Sequence, residues 1–242
     1  MRVLVTRPRP DADRTAAELS ARGHAHLVAP LFTVVIDADA RIDLAGVQAV
    51  LVTSANGARA LAAVTDRRDI HVLAGGDASA EAACDGGFGL VTSAAGDVDT
   101  LAALVYARLS PADGRLLHVT GSVIAGDLAG RLGAAGFTIE RAVLYRASPV
   151  DSIPEAMEEV LRAGTLDAAL FYSPRTAARF VELLIQAKLA DACGEMLAVA
   201  LSPAVAAKLG PVPFAAIRVA EEPHQESLLQ ALDSAAPIRT GL

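Results

Sequence analysis

The chain has 242 residues, 53% hydrophobic and 20% charged, with a net charge of −7. That length suits one large domain or two small ones, and the apolar fraction is ample for a core. The acidic balance argues against a nucleic-acid binder or a polybasic membrane patch, no apolar run is long enough to cross a bilayer, and the N-terminal apolar stretch is too short for a signal peptide, so the expectation is a soluble cytoplasmic protein.

Short β-rich runs bounded by Gly, Pro, Ser or Asp alternate with helical periodicity along the whole chain. A strand over 3–6 precedes a helix over 11–22, which Gly23 ends at the C′ position. Strands over 47–53 and 70–74 flank a helix over 56–64. A helix over 98–109 leads to a strand over 115–120, a helix over 122–134 with Gly136 beyond it, and a strand over 138–145. Helices over 153–163, 174–187, 203–209 and 225–234 then alternate with strands over 166–172, 196–200 and 215–219. The helix over 174–187 is the clearest, because Ala177, Phe180, Val181 and Leu184 make one apolar stripe. The alternation predicts an α/β protein with flavodoxin-like or Rossmann-like parallel sheets.

The order of elements repeats. Leu4-Val5-Thr6, Leu19, Gly23 and Leu31 correspond to His118-Val119-Thr120, Leu132, Gly136 and Tyr145, about 113–114 residues on. Ser54 corresponds to Ser173, Ala80 to Ala206, and Thr100-Leu101 to Ser227-Leu228. The offset grows in steps, as it does when a duplicated unit acquires loop insertions. Two related units imply two lobes with a cleft between them.

Ligands of open parallel sheets sit beyond the carboxyl ends of the strands. Four serine-bearing turns are expected there: Ser54-Ala55-Asn56 after the second strand, Gly75 to Ser79, Ser173-Pro174-Arg175, and Ser202-Pro203. Serine caps orphan N–H groups and proline fits the first helical position, so such turns favour anions through the first N–H groups and the helix dipole. The plainer alternative is that each serine only caps its helix. Arg7, Arg9, Arg59, Arg175 and Arg179 follow strands or flank these turns and strengthen the anion reading, against the alternative of a solvated helix face. Thr120-Gly121-Ser122 opens a further turn, without the Lys and Gly-rich run of a phosphate loop; a GxGxxG is also absent.

Metal chemistry finds little support, since His24, His26 and His118 lack acids or cysteines at ligand spacing and Cys84 and Cys193 stand alone. No serine lies in a GxSxG turn. Tyr145, one of three tyrosines, ends a strand and is a proton donor at neutral pH, or else a half-buried residue at a sheet edge.

Taken together, Leu4-Val5-Thr6-Arg7-Pro8, Val52-Thr53-Ser54-Ala55-Asn56, Gly76-Asp77-Ala78-Ser79-Ala80, Val143-Leu144-Tyr145, Phe171-Tyr172-Ser173-Pro174 and Ser202-Pro203-Ala204 resemble the uroporphyrinogen-III synthase family across nearly the whole chain. The resemblance implies a cofactor-free, cyclising hydro-lyase of tetrapyrrole (haem) biosynthesis. Its reaction closes linear hydroxymethylbilane to uroporphyrinogen III, with loss of water and inversion of the last pyrrole ring. It further implies two α/β lobes joined by two strands, one lobe discontinuous (about 1–36 with 147–242) and the other about 37–146. The duplicated units then exchange their first segments. The expected partners are the tetrapyrrole substrate and, transiently, the preceding enzyme of the pathway, with neither nucleic acid nor membrane; a monomer is expected. Tyr145 matches the family's tyrosine, a candidate acid for hydroxyl departure. Arg7, Ser54, Ala55, Asn56, Ser79, Thr120, Gly121, Ser122, Ser173, Arg175 and Ser202 are the candidate substrate-binding residues. Two positions depart from the family pattern: Ala204-Val205 lack the threonine usual there, and Val123-Ile124-Ala125-Gly126 lack a basic residue. The competing function is a non-catalytic two-lobed protein that binds an anionic ligand.

Overall fold

A computed structural model of the chain describes residues 1–123 and 126–235. The chain divides into two units, Met1–Thr33 with Ser148–Leu242, and Val34–Ala147. The first unit opens with β1 (Arg2–Val5), α1 (Asp11–Ala21) and β2 (Ala25–Val28), and is completed by α6 (Glu155–Arg162), β9 (Ala168–Phe171), α7 (Pro174–Ala187), β10 (Leu197–Ala200), α8 (Pro203–Ala206), β11 (Ala216–Val219) and α9 (Gln225–Asp233). Its strands lie in the order β11-β10-β9-β1-β2, all parallel. Numbered within the unit from the β2 edge, that is 2-1-3-4-5, the doubly wound order of flavodoxin.

The second unit contains β4 (Val47–Val52), α2 (Ala55–Val64), β5 (His71–Ala74), α3 (Asp77–Asp85), β6 (Leu90–Ser93), α4 (Val98–Arg108), β7 (Arg115–Gly121), α5 (Leu128–Ala134) and β8 (Ile139–Pro149). Its sheet follows the order β8-β7-β4-β5-β6, with β3 (Phe32–Ile36) added outside β8. Taking β7 as the first strand gives 2-1-3-4-5 again. β3 runs antiparallel to β8: Val150 N–H donates to Leu31 O at 3.0 Å and Asp37 N–H to Leu144 O at 2.8 Å. The boundary between the units falls within both of these strands.

Register supports the duplication. Arg2 pairs with Ala25 and Leu116 with Ile139, so both partners move along the chain by the same step. Leu197 with Ala216 and Val72 with Val91 repeat that behaviour further on. The β7-α5-β8 segment of the second unit occupies the sheet position that β1-α1-β2 has in the first.

Central strands are buried on both faces, which explains their unbroken apolar runs. In the first unit Val3, Val5, Leu170 and Val199 pack with Leu19, Leu228 and Leu232 of α1 and α9. Behind that sheet, Phe171 meets Phe180 edge-on at 5.0 Å between ring centroids. In the second unit Val50, Val52, Val72 and Val119 face α2 and α3, and Leu51, Leu73 and Leu116 face α4 and α5.

The structure departs from the sequence reading at several elements. β2, β3 and β6 are strands that it did not foresee, and all three carry exposed or half-exposed residues at sheet edges. α3 was also missed, because its alanine-rich stretch carries little amphipathic contrast. The helix expected over 122–134 begins only at Leu128, where the Asp127 carboxylate accepts the Gly130 N–H at 2.9 Å. Part of that expected helix, Ile124 and Ala125, lies outside the described residues. Gly23 and Gly136 end their helices at φ +80 and +88, a region that favours glycine.

Candidate functional site

In both sheets the strand order reverses between two neighbouring strands, at β7/β4 in one and β1/β9 in the other. The turns after β4 and β9 carry Ser54 and Ser173, the two halves of the recurrence in the sequence. Each has extended backbone and caps the helix that follows: Ser54 Oγ accepts the Gly57 N–H at 3.0 Å, and Ser173 Oγ accepts the Thr176 N–H at 3.1 Å.

Beyond the caps the two turns differ. Ser54 Oγ lies 2.8 Å from the phenol oxygen of Tyr145, which projects from β8. The Tyr145 ring passes over Gly121 at the end of β7, where an added Cβ would stand 2.8 Å from two ring carbons. The Tyr145 backbone is fixed as well, because Ser122 N–H donates to Tyr145 O at 3.0 Å. Gly121 thus makes room for the ring, and Ser122 holds the strand end beneath it.

Arg141 on β8, which the sequence did not single out, braces the same corner. Its Nε donates to Thr120 Oγ1 at 2.9 Å and its Nη2 to Gly121 O at 3.1 Å. Thr120 is buried, so its hydroxyl serves the strand end. His118 lies two residues back on the same face of β7 and is 3% exposed. Its Nε2 has no hydrogen-bond partner among the described residues. Burial, aided by the nearby Arg141 charge, holds its pKa down at about 4, so the imidazole is neutral.

Ala55 and Asn56 form the first turn of α2, and Asn56 Oδ1 accepts from Arg59 Nη1 at 3.1 Å. In the first unit Arg175 stacks over the Phe32 ring, 4.5 Å from its centroid. Arg7 is drawn into an internal network: it donates to Gln225 Oε1 at 2.9 Å, meets Asp11 at 3.4 Å and lies 4.0 Å over the Tyr172 ring. Arg9 pairs with Asp13 one turn on, and Arg179 donates to Val150 O at 3.0 Å.

Two serines do not cap as their turns suggested. Ser79 lies inside α3, buried, and the cap position belongs to Gly76, which has no side chain to offer. Ser202 occupies the cap position of the four-residue α8 but makes no side-chain cap bond. Among the described residues no group of three or more His, Cys, Asp or Glu side chains is arranged to hold a metal ion, and no helix is long and apolar enough to cross a membrane.

Doubly wound units with 2-1-3-4-5 sheets, whose hydroxyl-bearing turns lie at the switch points, define a class of α/β proteins that place ligands at the strand ends. Residues 13–230 match the family described as HEM4, uroporphyrinogen-III synthase HemD, and the chain belongs to the uroporphyrinogen-III synthase family, which are cyclising lyases of haem biosynthesis. The non-catalytic binding function is accordingly not favoured. Among solved structures, uroporphyrinogen-III synthetase from Helicobacter pylori matches with a TM-score of 0.64 and 16% identity, over 97% of this chain and 99% of that one. A mutant uroporphyrinogen III synthase from Thermus thermophilus matches with a TM-score of 0.54 and 21% identity, over 97% and 100%. At such identities the likeness is one of fold. No curated protein matches the chain at a significant level.

Proposed function

We propose that this chain closes hydroxymethylbilane to uroporphyrinogen III with Tyr145 as the acid that releases the hydroxyl. The observation that carries the reading is the phenol of Tyr145 held 2.8 Å from Ser54 Oγ, beside the switch point of its sheet. The carbon–oxygen bond breaks with its electron pair on oxygen, and the phenol proton makes the departing group water. The methylene carbon left behind, an azafulvene cation, attacks the substituted carbon of the last pyrrole. The spiro intermediate fragments and recloses, and loss of the final ring proton returns Tyr145 to the phenol. The remaining task is orientation, because an unguided chain closes to the type I isomer.

The substrate is a polycarboxylate, and the start of α2 at Ala55 and Asn56 is suited to one carboxylate through its first N–H groups. The turn at Ser173 and Arg175 is suited to another. Backbone donors at such turns tolerate sequence drift, which fits a family with loose motifs. The test is isomer analysis: enzymatically generated hydroxymethylbilane is supplied, the products are oxidised, and the isomers are separated. The type III isomer is expected; type I alone would sink the proposal.

A further inference from the structure

We infer that Ser54 is a positioning residue for Tyr145: it donates its hydroxyl proton to the phenol oxygen, which leaves the phenol's own proton for the departing hydroxyl of the substrate. The inference rests on Tyr145 being the acid and adds how that acid is aimed.

A serine hydroxyl has one proton to give and two lone pairs to offer. The Gly57 N–H, at 3.0 Å, takes one lone pair of Ser54. Tyr145 Oη, at 2.8 Å, is placed to take the Ser54 proton. The other unit shows why that proton is not used locally. Ser173 Oγ meets the hydroxyl of Thr176 at 2.9 Å, three residues into its own helix. The corresponding place in α2 is Gly57, which has no hydroxyl. Ser54 therefore reaches across to β8.

The direction of donation has a chemical consequence. When Tyr145 gives up its proton, negative charge appears on Oη. The chain Gly57 N–H to Ser54 Oγ–H to Tyr145 Oη points two successive donors at that charge, and the positive end of α2 lies behind them. Were Tyr145 the donor instead, its proton would be occupied by Ser54 at the moment it is needed. Gly121 makes room for the ring and Ser122 N–H ties the backbone beneath it, which places the phenol oxygen within reach of Ser54.

The experiment is a mutant cycle on enzymatically generated bilane. Ser54→Ala, Ser54→Thr and Ser54→Asp are each made in the parent and in Tyr145→Phe, with kcat, KM and thermal melting measured. Ser54→Ala should lower kcat about tenfold, the effect of one hydrogen bond to a charged group, with KM held within about twofold. Ser54→Thr keeps the hydroxyl and should restore kcat. Ser54→Asp keeps an acceptor for the cap, so it should melt like the parent, yet it has no proton to donate and should remain slow. In Tyr145→Phe, Ser54→Ala should add no further loss. Equal losses in both backgrounds, or a change in KM alone, would reduce Ser54 to a cap or a substrate contact and overturn the inference. Unchanged turnover in Tyr145→Phe alone would overturn the acid and the inference together, a result distinct from either of those.

Discussion

The turn at Ser54 and the turn at Ser173 are the same device built twice, and the one at Ser54 meets the phenol proposed as the acid. Both serines follow a central strand, adopt extended backbone and cap a helix through the third residue on. What differs is their surroundings. Tyr145 stands where its repeat partner is Leu31, which is fully buried, and Gly121 stands where the repeat partner is Arg7. In the first unit that arginine covers a different tyrosine, Tyr172, whose phenol is desolvated and pushed above its ordinary range by burial despite the Arg7 charge. Both copies carry the cap at the helix start; the second unit differs in having Gly121 beneath a phenol that meets the cap.

The largest effect that separates the two copies should come from their tyrosines. Tyr145→Phe removes the proposed acid and should lower kcat about a hundredfold, the lower end of what a positioned acid contributes. Tyr172→Phe removes a phenol that meets Thr15 at 3.4 Å and hydrogen-bonds with Arg7 in the first unit, and should leave kcat within about twofold. Steady-state kinetics of the two variants side by side checks this; equal losses would dissolve the distinction between the units.

Next comes the glycine beneath the ring. Gly121→Ala places a methyl 2.8 Å from the Tyr145 ring, which must swing away from Ser54. Turnover should fall about tenfold as the proposed acid loses its alignment, while the far-ultraviolet dichroism stays that of a folded protein. Parental kcat in this variant would show that the ring position is not what matters.

Much of this architecture was legible in the sequence, for a physical reason. Strands buried on both faces read as short apolar runs, and β4, β7, β9 and β10 were found that way. The three missed strands lie at or beside sheet edges, where half the side chains meet water and the signal fades. Ser54 and Ser173 were legible as caps because capping is local. The Ser54–Tyr145 pair was not, since its partners are 91 residues apart and meet only because β7 lies between β4 and β8. Arg141 was hidden for the same reason: its role depends on a register no local pattern encodes.

A third difference is thermodynamic. His118 stands where the first copy has Leu4. Its folded pKa of about 4 lies below the unfolded value of about 6.5, so below pH 6.5 the unfolded chain binds a proton that the folded chain refuses. Stability from this residue is complete above pH 6.5 and declines as pH falls towards 4, by about 1.4 kcal/mol at pH 5.5. His118→Leu, the residue of the sister copy, should remove that part of the acid slope and relieve an Nε2 that has no partner among the described residues. Urea unfolding of parent and variant at pH 7.5 and 5.5 measures it; parallel losses in both would exclude His118 as the source.

The smallest contrast lies in the caps themselves. Ser173→Ala and Ser54→Ala each leave an N–H without its side-chain acceptor at a helix start, and each should cost about 1 kcal/mol of stability. Their kinetics should diverge. Ser173 lies on a turn proposed to hold a carboxylate, so its loss should act on KM and leave kcat near the parent value. Ser54 meets the proposed acid, so its loss should act on kcat. The divergence follows from Gly57 and Thr176: where the third helical residue brings a hydroxyl the cap closes on itself, and where it is glycine the cap reaches the phenol. A common effect of both mutations on KM, with equal stability losses, would mean that the two serines still do the same job.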